Sequence, residues 1–137
     1  MKIKCIRNTI IRGEEYSLSY KTSSEVVKYG ELEIGEDYIV MGMILKQGSL
    51  FYLIDSGRII SACPHILFQI IDHILPASWY FKVFAPDYHN YINMEAVWGY
   101  FELCFVDAHY EELIDMDEKA HSIYFARKNS QLSETKR

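Results

Sequence analysis

The chain has 137 residues, half of them apolar, enough for one globular domain with its own core. Its formal net charge is −5, with no concentrated basic face, which argues against a phosphate-binding surface and so against nucleic acid as a partner. No apolar run approaches the ~20 residues of a membrane helix, and the charged start MKIKCIRNTI has no signal-peptide core, so a cytoplasmic protein without a membrane role is expected.

In chain order, residues 2–6 (KIKCI) alternate with period 2 and predict a half-buried first strand. The polar stretch that follows, broken by Gly13, Gly30 and Gly35, reads as a long excursion. Within it Thr22 and Glu25 have capping-box spacing ahead of Gly30, compatible with one helical turn or with an extended arm. Residues 37–45 predict a strand, Gln47-Gly48 a tight turn and 50–54 the returning strand. Asp55-Ser56-Gly57 turns the chain again before a strand over 58–62. Short strands joined this tightly are expected to curl into a small barrel, since a flat meander leaves its edges open. Beyond Pro76, residues 79–84 (WYFKVF) read as a strand and 85–93 (APDYHNYIN) as a loop. Residues 96–105 (AVWGYFELCF) read as another strand, with Gly99 marking a bulge.

The period then changes. Tyr110, Leu113 and Ile114, and again Ala120, Ile123 and Tyr124, are spaced for helical faces, which makes 107–129 a helical segment. The spacing of Asp115 and Glu118 predicts Asp115 as the N-cap of a helix over 116–128, with Arg127 and Lys128 near its negative end and 130–137 frayed. The expected fold is α+β. A mainly antiparallel barrel over 2–71 is joined by additional strands over 76–106 and by C-terminal helices, all in a single domain of residues 1–137.

Acidic charge is concentrated in two runs without a base. Glu31, Glu33, Glu36 and Asp37 form the first; Asp107, Glu111, Glu112, Asp115, Asp117 and Glu118 form the second. Such runs suit a basic protein partner. The loop residues Tyr88, His89 and Tyr91 are of the types enriched at contact surfaces. The candidate partner-binding residues are therefore Glu31, Glu33, Glu36, Asp37, Tyr88, His89, Tyr91, Asp107, Glu111, Glu112 and Asp115. No catalytic, cofactor or metal set is assembled. The five histidines lack metal-ligand spacing, and neither a G-x-S-x-G elbow nor a glycine-rich phosphate loop occurs. Cys5, Cys63 and Cys104 are odd in number and sit in apolar segments, so buried free thiols are expected.

The order of parts over 2–71 resembles an SH3-like barrel: a first strand KIKCI, a long loop to Gly35, two hairpins, then Ser61–Phe68 (SACPHILF). This last piece is similar to the strand end, one-turn helix and closing strand of such barrels. Leu32, Gly35 and Tyr38 (L-x-x-G-x-x-Y) resemble the entry to the second strand in small bacterial members. Size, acidity, 11 tyrosines and the lack of a catalytic signature make the whole chain loosely similar to immunity proteins, which protect bacteria from toxins delivered by neighbouring cells. That resemblance implies a cognate toxin as partner, no cofactor and no enzymatic activity. The oligomeric state stays open, with a monomer preferred. A small peptide-binding adaptor or an enzyme of unrecognised type are the alternatives.

Overall fold

The computed structural model describes residues 1–11, 26–85 and 94–135. Strands β1 (Lys2–Cys5) and β2 (Thr9–Ile11) precede β3 (Val26–Lys28), β4 (Asp37–Ile39), β5 (Gly42–Lys46), β6 (Ser49–Asp55) and β7 (Ile60–Pro64). A single 3-10 turn at His65–Leu67 leads to β8 (Phe68–Asp72), β9 (Tyr80–Val83) and β10 (Met94–Gly99), and helices α1 (Phe101–Phe105), α2 (His109–Ile114) and α3 (Glu118–Thr135) end the chain. The architecture is α+β and antiparallel. A three-stranded sheet runs β4-β1-β8, a five-stranded sheet runs β7-β6-β5-β10-β9, and β2 pairs with β3. No closed barrel forms among the described residues, because β5 gives its second edge to β10 and so extends the larger sheet instead of closing it.

Two apolar clusters flank the five-stranded sheet. Tyr52 and Ile54 of β6 join Ile3, Tyr38, Val40, Leu67 and Phe68 between the two sheets. Leu53, the residue between them, joins Met41, Val97, Leu103, Leu113 and Tyr124 on the helical side. This is the period-2 alternation of a strand covered on both faces. Where one strand over 37–45 was expected, the chain breaks at Val40-Met41. Val40 donates to the Met1 carbonyl (3.2 Å) and enters the first cluster, while Met41 donates to Leu53 (2.9 Å) and enters the second. The bend thus serves both cores. At the first hairpin Gln47 (φ 51°) and Gly48 (φ 75°) both take positive φ, the type I′ geometry that matches strand twist. The second turn runs further than expected. Gly57 donates to Asp55 Oδ2 and Ser56 to the Ile59 carbonyl, so the strand starts at Ile60 rather than Arg58.

Several expectations are corrected. The apolar run 96–105 is not one strand: β10 stops at Gly99, and α1 folds back so that the Leu103 side chain lies over the paired glycines Gly42 and Gly99. The register irregularity falls at Met94/Ala96, not at Gly99. The N-cap of α3 is Asp117, whose Oδ2 accepts from the Ala120 amide (3.0 Å), whereas Asp115 closes α2 by donating its amide to the Glu111 carbonyl (2.9 Å). Helix α3 continues through Thr135 because Gln131, 4% exposed, donates to the Val40 carbonyl and accepts from Trp79 Nε1, both at 3.0 Å. Arg127 and Lys128 are therefore mid-helix residues. Of the two readings left open for the polar excursion, residues 26–28 take the extended one, as strand β3; Thr22 and Glu25 lie outside the described residues, as does most of the expected loop over 85–93. Among the described residues, no helix is long and apolar enough to cross a membrane.

Candidate functional site

The first acidic run is pinned to the three-stranded sheet. Leu32 (2% exposed) and Tyr38 (8%) turn inward as plugs of the first cluster, and Gly35, at φ 95°, makes the turn between them. The Gly35 amide donates to the Cys5 carbonyl (2.8 Å), the Cys5 amide to Glu36 (2.9 Å), and the Glu33 amide to the Tyr38 hydroxyl (3.0 Å). The L-x-x-G-x-x-Y spacing thereby acquires a physical meaning: two apolar anchors and a glycine turn leave Glu33, Glu36 and Asp37 exposed. Burial, reinforced by the Glu33 and Glu36 carboxylates, raises the Tyr38 phenol above its ordinary pKa.

Facing this loop is the end of β6. Asp55 is 7% exposed; its Oδ1 accepts from the Tyr124 hydroxyl (2.9 Å) and from Lys128 Nζ (2.7 Å), and its Oδ2 accepts from the Gly57 amide. Burial and then the neighbouring Asp55 push the Tyr124 phenol far up, so it stays protonated and donating. Glu31, Glu33, Glu36 and Asp37 line an open depression of about 400 Å³ together with Asp55 and Lys128. Among the described residues lining it, Lys128 is the one cation, and Asp55 holds it. Chemically this is an acidic concavity bordered by a hydrogen-bonded loop.

The second acidic run lies elsewhere. Glu111 and Glu112 are in the first turn of α2, Asp107 precedes that helix and Asp115 closes it; none of the four lines the depression. Tyr88, His89 and Tyr91 lie outside the described residues. Asp55, Tyr124 and Lys128 were not singled out by their sequence context. Asp55 reads as a turn residue and Lys128 as a dipole-complementing cation, and only the approach of α3 to the β6 end unites them.

Three thiols and the His109 imidazole are buried apart from the depression. Burial raises all three thiols, Cys63 to about 12 and Cys104 to about 11, which disfavours the nucleophilic thiolate; all three are free and buried. His109, 2% exposed, shares a 2.7 Å hydrogen bond between its Nε2 and the Tyr100 hydroxyl. Among the described residues no three His, Cys, Asp or Glu side chains gather as metal ligands. In comparisons with protein-family models, curated proteins and solved structures, none matches this chain.

Proposed function

We propose that the chain is a binding protein of the immunity type, which neutralises a basic toxin such as a nuclease by direct contact, with the acidic depression receiving the toxin's basic surface. The observation that most supports this reading is the pinned loop: Glu31, Glu33, Glu36 and Asp37 border a concavity whose lining cation is already held by Asp55. Opposite charge accelerates encounter and selects partners, and a loop held by hydrogen bonds in the free protein needs little further ordering on binding. A likeness of residues 2–71 to SH3-like barrels belongs to the same proposal. It is supported by the order β1, bent β4–β5, β6, β7, 3-10 turn and β8, with β8 returning to pair with β1. In this reading β10 and β9 lengthen an opened barrel.

The experiment is binding and neutralisation of the toxin encoded beside the gene. The expected result is a stable complex and loss of toxicity. Replacing Glu33 and Glu36 by lysine is expected to slow association at least tenfold at low salt, the scale of electrostatic steering. If no neighbouring toxin binds, the immunity reading fails.

A further inference from the structure

Strand β9 is the outer strand of the five-stranded sheet, and among the described residues no strand lies beyond it. Its apolar side chains crowd both faces of that edge. On one face Tyr80 packs edge-on against Phe101 and Phe105, each at 5.6 Å between ring centroids, and Lys82 sits 5.9 Å from the Phe105 centroid. On the other, Phe81 stacks at 4.6 Å on Trp98. Tyr80, Phe81, Val83, Phe101 and Phe105 are nonetheless 43% to 63% exposed. At about 200 Å² for a whole aromatic side chain they leave roughly 500 Å² of apolar surface at one edge. That is at the upper end for the largest patch on a monomer, and well over half of the ~800 Å² that each partner contributes to a standard interface.

The backbone points the same way. The Phe84 amide donates to the Glu95 carbonyl (2.9 Å), which marks Phe84 and Glu95 as a bonded pair of the antiparallel ladder. By alternation, Lys82 and Tyr80 also bond inward to Val97 and Gly99, and the N–H and C=O groups of Phe81 and Val83 face away from β10. Apolar groups on both faces and open amides between them are covered together by an object that straddles the edge, which is what an added strand does.

We propose that β9 is a dimerisation edge, pairing antiparallel with β9 of a second copy across a two-fold axis to join two five-stranded sheets. The proposal is independent of the toxin-binding reading. The self-complementary choice follows from register. A two-fold centred on Lys82 would oppose two ammonium groups, a destabilising pair. A two-fold centred on Phe81 opposes the two Phe81 rings on one face and, on the other, sets Tyr80 across from Lys82 of the second copy in two cation–π contacts. Phe101 and Phe105 then cover the strand added beside Tyr80.

Sedimentation equilibrium of the intact chain from about 1 to about 200 µM tests this, with a dimer of Kd on the order of 10 µM expected for an interface of this size. V83K places a charge at the edge, and F81D removes the central ring. Each is expected to weaken the dimer at least tenfold while circular dichroism stays near wild type and unfolding stays cooperative. A mixture of Y80C and K82C chains, which keeps both Phe81 rings, is expected to form an intermolecular disulfide under mild oxidation, since the non-bonded antiparallel pair has Cα atoms about 4.5 Å apart; a mixture of Y80C and V83C chains is not. A chain monomeric across the range overturns the proposal, as does a dimer indifferent to V83K and F81D when both remain folded. A dimer that V83K and F81D both weaken but in which Y80C and K82C chains do not cross-link overturns the Phe81-centred register.

Discussion

Asp55 is the residue on which most is concentrated. It is a nearly buried carboxylate serving a fully buried phenol, a partly exposed ammonium and the amide of its own turn. Removing the carboxylate strands the Tyr124 hydroxyl in the core, whereas Lys128, its side chain 23% exposed, can still reach water. Asp55→Ala is therefore expected to cost about 2–4 kcal/mol and Tyr124→Phe about 1–2, while Lys128→Met, which leaves the nearly buried Asp55 carboxylate without its cation, is expected to cost about 2–3, by urea unfolding. A smaller loss for Lys128→Met than for Tyr124→Phe would show that the phenol, not the ion pair, is the anchor. His109 makes a prediction about pH. Burial holds its imidazole below the ordinary 6.5, so the unfolded chain takes up the proton first. The stability from the neutral ring is then complete above about pH 6.5 and declines as the pH falls toward the folded-state value, at up to about 1.4 kcal/mol per pH unit. Relative to wild type, His109→Gln is expected to show a shallower decline in urea midpoint between pH 7 and 5. Equal slopes would remove His109 from the acid response. Neither role could be read from local sequence. Asp55 meets its helical partners across 69 and 73 residues of chain, and a D-S-G triplet carries no trace of them.

Elements specified by local chemistry follow the sequence closely, and those specified by distant packing depart from it. Glycine turns and β-branched runs locate β6 and β7 to within about two residues, while the single strand expected over 37–45 is split into β4 and β5; the piece Ser61–Phe68 folds as strand, 3-10 turn and strand in the expected order. The run 96–105 departs because nothing local stops a strand there; the stop is Leu103. A Cβ on Gly99 would stand 2.6 Å from a Leu103 methyl carbon, and one on Gly42 would collide with the same carbon. The two glycines leave the hollow into which α1 presses its leucine. Gly42→Ala is accordingly expected to cost about 1–3 kcal/mol by overpacking. Combined with Leu103→Ala it should cost clearly less than the sum of the two, because the shortened side chain vacates the contested space. Additive losses in that cycle would mean that the glycine pair and Leu103 do not share a site. The N-cap departs for a related reason. Asp115 and Asp117 both stand near plausible capping spacings, and Asp117 takes the role once Asp115 is used to close α2.

Across the whole molecule, the two acidic runs visible in the sequence become physically different objects. One borders a concavity opposite Asp55 and Lys128, while the other surrounds a short helix and lines no part of that depression. Composition alone weighs them equally; the pinning of Leu32 and Tyr38 distinguishes them, and it depends on β1 lying beside the loop. The distinction can be measured against a basic partner. Three carboxylate-to-lysine swaps in either run change the charge by six and take the net charge from −5 to +1. Long-range attraction follows the summed field, so both triple variants are expected to associate more slowly at low salt by comparable factors. Both differences should fade at 0.5 M salt, where the Debye length is only about 4 Å. Short-range contact does not fade in this way. If the depression is the contact, Glu33→Lys/Glu36→Lys/Asp37→Lys is expected to raise the dissociation rate at high salt by an order of magnitude or more, and Glu111→Lys/Glu112→Lys/Asp115→Lys to leave it within about twofold. The reverse pattern in stopped-flow or surface-plasmon kinetics would move the contact to α2. Equal, fully screened effects on association with no change in dissociation would leave the acidic runs a steering role only and place the contact on neither.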